Sequence, residues 1–157
     1  MTDYPLGEIM TASKRLVVLL FGPPGAGKTT TARESGLQVF DRDDPQWTGE
    51  QHFRFELSEL RSDPTARAVV IRAGATSSAR KKAADLVGAT HLYLVSLPAD
   101  ECRRRVQSRA RHDHVQGSAS VKTWHDAFDA DDGVADFPGW QFVVAGETSI
   151  GATTRDW

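Results

Sequence analysis

The sequence predicts one α/β domain in which a parallel β-sheet lies between two layers of helices. Short apolar segments alternate along the chain with longer amphipathic segments, which is the order that strand–helix–strand units produce. Residues Leu16–Phe21 are continuously apolar, as expected for a strand that is buried on both faces. The 157 residues suffice for a single domain with its own hydrophobic core.

The spacing of apolar residues and the positions of glycine and proline give the individual elements. Helices are predicted where apolar residues recur every three to four positions, and Pro98 suits the first turn of one of them. The predicted strands are 16–21, 37–40, 66–71, 91–97 and, with a weaker pattern, 142–145. The predicted helices are 28–35, 50–60, 77–87, 98–111 and 121–128. Residues 1–13 are expected to form a flexible leader, and residues 14–157 the domain.

Composition excludes several classes of protein. The single cysteine, Cys102, cannot form an intrachain disulfide, so a reducing compartment is expected. Residues 1–13 lack the layout of a secretion signal, and the longest apolar run is too short to cross a bilayer. We therefore expect a cytoplasmic protein without a membrane partner. The net charge of −2 argues against a uniformly basic surface for nucleic acid, and the oligomeric state stays open.

The strongest functional signal follows the first predicted strand. Residues 22–29 read Gly-Pro-Pro-Gly-Ala-Gly-Lys-Thr and match G-x-x-x-x-G-K-[ST] at every fixed position, between a buried strand and a helix. Such a P-loop surrounds the phosphates of a nucleoside triphosphate with backbone N–H groups. The sequence therefore predicts a three-layer P-loop NTPase fold with a parallel, five-stranded sheet, which binds ATP (or GTP) with Mg²⁺.

Each residue type in the motif has an expected task. Gly25 and Gly27 allow turns that a Cβ atom would obstruct. Lys28 is expected to reach the β- and γ-phosphates, and the hydroxyl of Thr29 is expected to ligate Mg²⁺. The predicted nucleotide-binding residues are Gly22, Gly25, Ala26, Gly27, Lys28, Thr29 and Thr30.

A kinase is favoured over other P-loop proteins. The N-K-x-D motif by which GTPases commonly read the base is absent, and the chain is short for an assembling motor ATPase. A small kinase needs a carboxylate for the acceptor hydroxyl and mobile arginines over the phosphates. The carboxylate candidates after the second strand, at the ligand-facing edge of the sheet, are Asp41, Asp43 and Asp44. The alternative interpretation is a solvated acidic turn.

Five arginines between positions 103 and 111 are the candidates for the mobile cations. Arg105 and Arg109 lie four residues apart, so they share one face of the predicted helix, and guanidinium groups suit phosphate oxygens. The alternative interpretation is an exposed basic helix face. Arg80, Lys81 and Lys82 on the preceding predicted helix are expected to be solvated, as is the acidic stretch from Asp126 to Asp136.

From about Leu16 to Arg111 the sequence resembles the small P-loop kinases of the polynucleotide-kinase type, especially compact phage-borne members. Beyond the P-loop, the likeness rests on Arg42-Asp43-Asp44, on the pattern V-V-I-x₈-R that ends at Arg80, and on the x₃-R spacing of Arg105 and Arg109. The resemblance implies that Asp43 activates the acceptor hydroxyl and that Arg105 and Arg109 are lid arginines. It also implies phosphoryl transfer from ATP to a nucleoside, nucleotide or nucleic-acid acceptor.

Two positions depart from that family. The acid that usually follows its third strand is replaced by Arg72-Ala73-Gly74, and an arginine shortly after R-D-D is replaced by Gln46. The second change weakens the case for a DNA or RNA 5′-end as acceptor. Because the arginines at 103–111 are the one arginine-rich stretch and the C-terminal third is acidic, a mononucleotide, a nucleoside or a single modified base is slightly favoured over a duplex end. The rival hypotheses are an NTPase switch and a nucleotide-binding module without an acceptor.

Overall fold

The computed structural model describes residues 14–95 and 114–148, which form the predicted α/β fold. Along the chain the elements are β1 (Leu16–Phe21), α1 (Lys28–Arg33), β2 (Gln38–Phe40), α2 (Glu50–Ser62), β3 (Arg67–Arg72), α3 (Ser77–Val87), β4 (His91–Leu94), α4 (His114–Ala127), β5 (Ala135–Asp136) and α5 (Trp140–Thr148). The predicted leader 1–13 and the predicted helix 98–111 lie outside the described residues. In the part of the chain that is described, no helix combines the length and apolarity needed to span a bilayer.

The five strands are parallel and lie in the order β2-β3-β1-β4-β5. β1 is central, and its last residue, Phe21, is aligned with Arg72 of β3 and with Leu94 of β4. Parallel strands have their carboxyl ends at one edge of the sheet, where ligands bind in α/β proteins. The loops that follow β1, β2 and β3 therefore meet at this edge.

The core has two halves because every residue of β1 is buried and alternate side chains point to opposite faces. On one face, Val17, Leu19 and Phe21 pack with apolar residues of α2 and α3. On the other face, Leu16, Val18 and Leu20 belong to the cluster that contains Ala32 of α1 and Val143 of α5. The sheet thus lies between two helical layers, and the predicted three-layer fold is confirmed.

The fifth strand was predicted at the wrong place. Residues 142–145, predicted as a strand, belong to helix α5, whereas the strand that pairs with β4 is Ala135–Asp136. Val143 is buried, but its neighbours Phe142 and Val144 are 61% and 44% exposed, so the apolar run does not fit a strand buried on both faces. β5 consists of Ala135 and Asp136, which are both exposed, and so short a strand gives no periodic signal.

Helix α4 is longer than its apolar pattern predicts. It begins at His114 rather than at residue 121, and it ends at Ala127. Its first half reads His-Val-Gln-Gly-Ser-Ala-Ser, in which Val115 and the small Ala119 are the only apolar residues apart from glycine, so the helical pattern is weak. The packing side chains occur in its second half, where Val121 and Trp124 are buried and Trp124 stacks on Phe128 with 5.1 Å between ring centroids.

Gly74 is predicted to be a position where the fold requires glycine for two reasons. Its φ is +54°, and a Cβ would lie 2.1 Å from Cδ1 of the fully buried Phe21. Gly36 has a similar φ of +75° but no atom within 4 Å of such a Cβ, so Gly36→Ala measures the backbone strain alone. Overpacking costs about 1–3 kcal/mol, and Gly74→Ala should lose that much more stability than Gly36→Ala in urea unfolding. Equal losses would show that Phe21 is not held against Gly74.

Candidate active site

The P-loop connects β1 to α1 with the glycine conformations that its motif predicts. Gly25 and Gly27 have φ values of 82° and 92°, in the left-handed region that favours glycine. Gly22 is constrained differently, because a Cβ there would lie 2.0 Å from the carbonyl oxygen of Val95, just after β4. The N–H of Gly22 donates to the carbonyl of Ala73 at 3.1 Å. The start of the loop is therefore fixed between the ends of β3 and β4.

The ammonium group of Lys28 lies against the start of this loop. Its Nζ donates to the carbonyl of Gly22 and lies 3.4 Å from the carbonyl oxygen of Pro23. Gly27 is the N-cap of α1, and its carbonyl accepts a hydrogen bond from the N–H of Thr31 at 2.9 Å. The ammonium of Lys28 therefore lies against the backbone of the loop.

The hydroxyl of Thr29 donates to the Asp41 carboxylate, with 2.8 Å between Oγ1 and Oδ2. Asp41 is the first residue after β2, and its Oδ1 accepts the N–H of Asp43 at 3.0 Å. The indole N–H of Trp47 donates to the Asp41 carbonyl at 2.8 Å, and the ring stacks on Phe40 with 5.9 Å between centroids. The turn formed by residues 41–44, which we call the acidic turn, is therefore attached to the P-loop through Asp41. The sequence made Asp41 a candidate, but it could not show this contact.

A cavity of about 1290 Å³ opens beside the P-loop. Gly25, Gly27 and Lys28 to Thr30 line one part of it, and the acidic turn lines another, with the exposed Asp43 included. The end of β3 and the facing sides of α2 and α3 complete the walls. The structure thus brings Asp43 to the same cavity as five of the seven predicted nucleotide-binding residues, and Gly22 and Ala26 do not line it. The predicted lid residues Arg105 and Arg109 lie outside the described residues.

Four charged residues that the sequence analysis did not assign as a site lie on the same cavity. The carboxylate of Glu50 receives Arg42 Nε at 2.9 Å and lies 3.3 Å from Arg54 Nε and 3.3 Å from Arg72 Nη2. Desolvation alone would raise the pKa of Glu50, but the hydrogen bonds and charges of Arg42 and Arg72 outweigh it and lower that pKa. Glu50 is therefore ionised at neutral pH. The sequence analysis did not group these four residues because they lie far apart along the chain.

Arg80 is not solvated, contrary to the sequence-based expectation. Its side chain is fully buried, and it donates a bidentate pair of hydrogen bonds to Asp132 at 2.9 and 2.8 Å. It also donates to the carbonyls of Gly74 at 2.8 Å, Ala75 at 3.1 Å and Asp129. A buried charge of this kind requires such pairing. Arg80 therefore holds the loop after β3 to the loop after α4.

The acidic stretch is correspondingly more than a solvated surface. Asp129 accepts the N–H of Ser77 at 3.1 Å, and Trp124 Nε1 donates to the Ala73 carbonyl at 2.8 Å. The hydrogen bonds from Arg80 lower the pKa of Asp132, despite the opposing effect of burial. These contacts fix the loop after β3, which also receives the N–H of Gly22 through Ala73. The wall of the cavity thus depends on residues about fifty positions away in sequence.

The oxygen groups of Thr29 and Asp41 fit a magnesium ion bound together with a nucleotide. Among residues 14–95 and 114–148, no group of three or more His, Cys, Asp or Glu side chains could hold a metal ion. Mg²⁺ does not need such a group, because it usually takes one or two carboxylates plus substrate phosphates and water. The hydroxyl and the carboxylate, 2.8 Å apart beside the P-loop, are hard oxygen ligands of that kind.

Comparison with known proteins supports the fold. No protein-family model matches the sequence, and no curated protein matches it. A crystal structure of a gluconokinase from Sinorhizobium meliloti 1021 superposes with a TM-score of 0.53 at 15% identity, over 90% of this chain and 97% of that one. The crystal structure of APE1195 gives 0.54 at 17% identity, over 89% and 97% of the two chains. Both likenesses show that the chain has the fold of a small P-loop kinase.

A third similar structure is the shikimate kinase from Acinetobacter baumannii in complex with shikimate. Its TM-score is 0.49 at 14% identity, over 93% of this chain and 98% of that one. Neither the gluconokinase nor APE1195 is named as a polynucleotide kinase. The resemblance to that particular type of kinase therefore stays a prediction.

The pairing of Asp132 with Arg80 predicts how stability depends on pH. Because the folded-state pKa of Asp132 is lowered, the stability it contributes is complete above its unfolded-state pKa. That contribution is lost as the pH falls through the folded-state value. Asp132→Asn should cost about 2 kcal/mol at neutral pH, and its difference from wild type should narrow in acid. The measurement is the free energy of unfolding in urea, from neutral pH to a pH below the folded-state pKa of Asp132.

The matched control is Asp131→Asn, since Asp131 lies in the same loop but Arg80 donates its hydrogen bonds to the side chain of Asp132 and the carbonyl of Asp129 instead. This variant should unfold like the wild type at every pH. A gap between Asp132→Asn and wild type that stays constant down to low pH would contradict the assignment. The same conclusion would follow if both variants lost equal stability.

Proposed function

We propose that this protein is an ATP- and Mg²⁺-dependent kinase that transfers the γ-phosphoryl group to a hydroxyl of a small molecule. The observation that carries the proposal is the hydrogen bond between Thr29 and Asp41, which attaches the acidic turn to the P-loop. A kinase requires a carboxylate beside the bound phosphates, because the acceptor hydroxyl must be oriented there. A nucleotide switch can hold Mg²⁺ with a similar hydroxyl and carboxylate pair, but it has no acceptor and does not need the second carboxylate, Asp43, that the same turn places on the cavity.

The donor side would use the residues of the P-loop. The backbone N–H groups of residues 25–30 and the ammonium of Lys28 would bind the phosphates of ATP. Thr29 and Asp41 would hold Mg²⁺, which when bound neutralises charge on the phosphate oxygens. The end of β3 offers no acid for this task, since it reads Arg72-Ala73-Gly74. In this proposal Asp41 supplies the carboxylate from β2 instead.

The acceptor side would use Asp43. Its carboxylate accepts the proton of the acceptor hydroxyl, and the hydroxyl oxygen forms a bond to the γ-phosphorus. The bond between the γ-phosphorus and the oxygen that bridges to the β-phosphate breaks, and ADP leaves. Arg105 and Arg109 would stabilise the charge on the transferring group. That last assignment rests on the sequence resemblance, because both arginines lie outside the described residues.

The fold likeness favours a small acceptor over a nucleic acid. The gluconokinase of similar fold is named for a small hydroxylated acceptor. The net charge of −2 and the acidic residues 126–136 give a nucleic-acid backbone little support. A nucleoside or a mononucleotide remains within the proposed class, as the resemblance to polynucleotide kinases suggested.

The activity test uses ATP labelled in the γ-phosphate together with a panel of small hydroxyl compounds, nucleosides and an oligonucleotide with a free 5′-hydroxyl. Labelled acceptor is the expected product, and Lys28→Ala should abolish it, because the phosphates lose their ammonium contact. Free phosphate without labelled acceptor would favour an NTPase switch. Binding without either product would favour a nucleotide-binding module.

The two aspartates predict different kinetic effects. A positioned base contributes about 10²- to 10⁴-fold to the rate, so Asp43→Asn should lower kcat by that order while the KM for ATP barely changes. Asp41→Asn should instead raise the Mg²⁺ concentration needed for half-maximal rate. Initial rates measured against ATP, acceptor and Mg²⁺ separate these effects. An unchanged kcat in Asp43→Asn, with a collapse of kcat in Asp41→Asn, would transfer the acceptor role to Asp41.

A further inference from the structure

Three arginines from three different elements meet at one carboxylate beside the candidate active site. Arg42 lies in the acidic turn, Arg54 lies in α2, and Arg72 ends β3, and all three contact Glu50 at 2.9 to 3.3 Å. We call these three residues the arginine cluster. All of its members and Glu50 line the cavity that also contains Lys28 and Asp43. The cluster is therefore on the acceptor side of the P-loop.

Glu50 does not balance the charge of the arginine cluster. Three guanidinium groups share one ionised carboxylate, so the four residues together carry a positive charge. The side chains of Arg42 and Arg54 are 43% and 57% exposed, and ion pairs with such exposure stabilise a fold by about 0–1 kcal/mol. The small stabilisation from these ion pairs does not account for three arginines at one carboxylate. A positive charge in a cavity is suited to bind an anion.

Arg72 is the most fixed member of the cluster. Its side chain is 25% exposed, its guanidinium lies 5.5 Å from the centroid of the Phe53 ring, and Nη2 contacts Glu50. The register aligns Arg72 with Phe21, the residue before the P-loop, so its backbone lies at the edge where the phosphates would bind. Arg42 directly precedes Asp43 in the chain. An anion on the cluster would therefore belong to the molecule whose hydroxyl faces Asp43.

We infer that the acceptor carries an anionic group in addition to its hydroxyl, either a carboxylate or a phosphate ester, and that the arginine cluster binds this group. Guanidinium groups form paired hydrogen bonds with both kinds of oxygen anion. This inference rests on the proposed kinase function and narrows its substrate class. A neutral polyol or an unmodified nucleoside would leave the cluster without its ligand.

The test compares acceptors that differ only in the anionic group. The two series are glycerol, glycerate and glycerol phosphate, and sorbitol, gluconate and sorbitol phosphate, each with γ-labelled ATP. Charge-assisted hydrogen bonds correspond to about 10- to 100-fold in binding, so kcat/KM should be higher by that factor for an anionic member. Comparison of the carboxylate and phosphate members identifies which anion the cluster prefers.

Variants of the cluster test whether the arginines produce that preference. Arg72→Gln should lower the ratio of kcat/KM for the anionic over the neutral acceptor about 10-fold or more. Arg54→Gln, on the exposed face of α2, should act in the same direction and does not disturb the Phe53 contact. Arg33→Gln is the matched control, because Arg33 is an exposed arginine of α1 outside the cavity. Thermal unfolding verifies that each variant is folded.

Two results would overturn the inference, and they are distinguishable. Equal kcat/KM for neutral and anionic members, or a preference that persists in both Arg72→Gln and Arg54→Gln, would refute the anion site and leave the kinase function intact. Phosphorylation of none of these acceptors or of the wider panel, with ATP still bound, would refute the proposed function and this inference with it.

Discussion

The candidate active site depends on the hydrogen bond between the Thr29 hydroxyl and the Asp41 carboxylate. It joins the first turn of α1 to the turn after β2, although β3 lies between β1 and β2 in the sheet. The residues after β3 at this edge are Ala73 and Gly74, which line the cavity and are small. A threonine of the P-loop and a carboxylate from the turn after a non-adjacent strand can thus meet, and the acidic turn is held beside the P-loop.

The loop after β3 is held in place by a second set of interactions. The carbonyl of Ala73 accepts hydrogen bonds from the N–H of Gly22 and from the indole of Trp124, while buried Arg80 donates to the next two carbonyls. Arg80 needs Asp132 for charge compensation, because a buried guanidinium without a carboxylate would be strongly destabilising. The loop after α4 therefore helps to shape the nucleotide site indirectly, because it holds the loop after β3 in place.

The sequence predicted those features that local residue types determine. The P-loop was predictable because its fixed residues are contiguous, and β1 was predictable because a strand buried on both faces is apolar throughout. β5 was not, since two exposed residues pair with β4 through backbone hydrogen bonds that leave no apolar pattern. Arg80 looked solvated because its carboxylate partner lies 52 residues further along the chain. Whether Asp41 or Asp43 accepts the hydrogen bond from Thr29 depends on the conformation of the turn, and the spacing of residues in the sequence does not give that conformation.

The most direct test of this account is a calorimetric titration of ATP into the wild-type protein and Asp41→Asn, with and without Mg²⁺. We expect Mg²⁺ to strengthen ATP binding by wild type, and we expect Asp41→Asn to lose about 10- to 100-fold of this enhancement while its Mg²⁺-free affinity is unchanged. Asp44→Asn, in the same turn, is the control and should keep the enhancement. If Asp41→Asn kept the full Mg²⁺ enhancement, the contact between Thr29 and Asp41 would not form the metal site, and the central claim would be wrong.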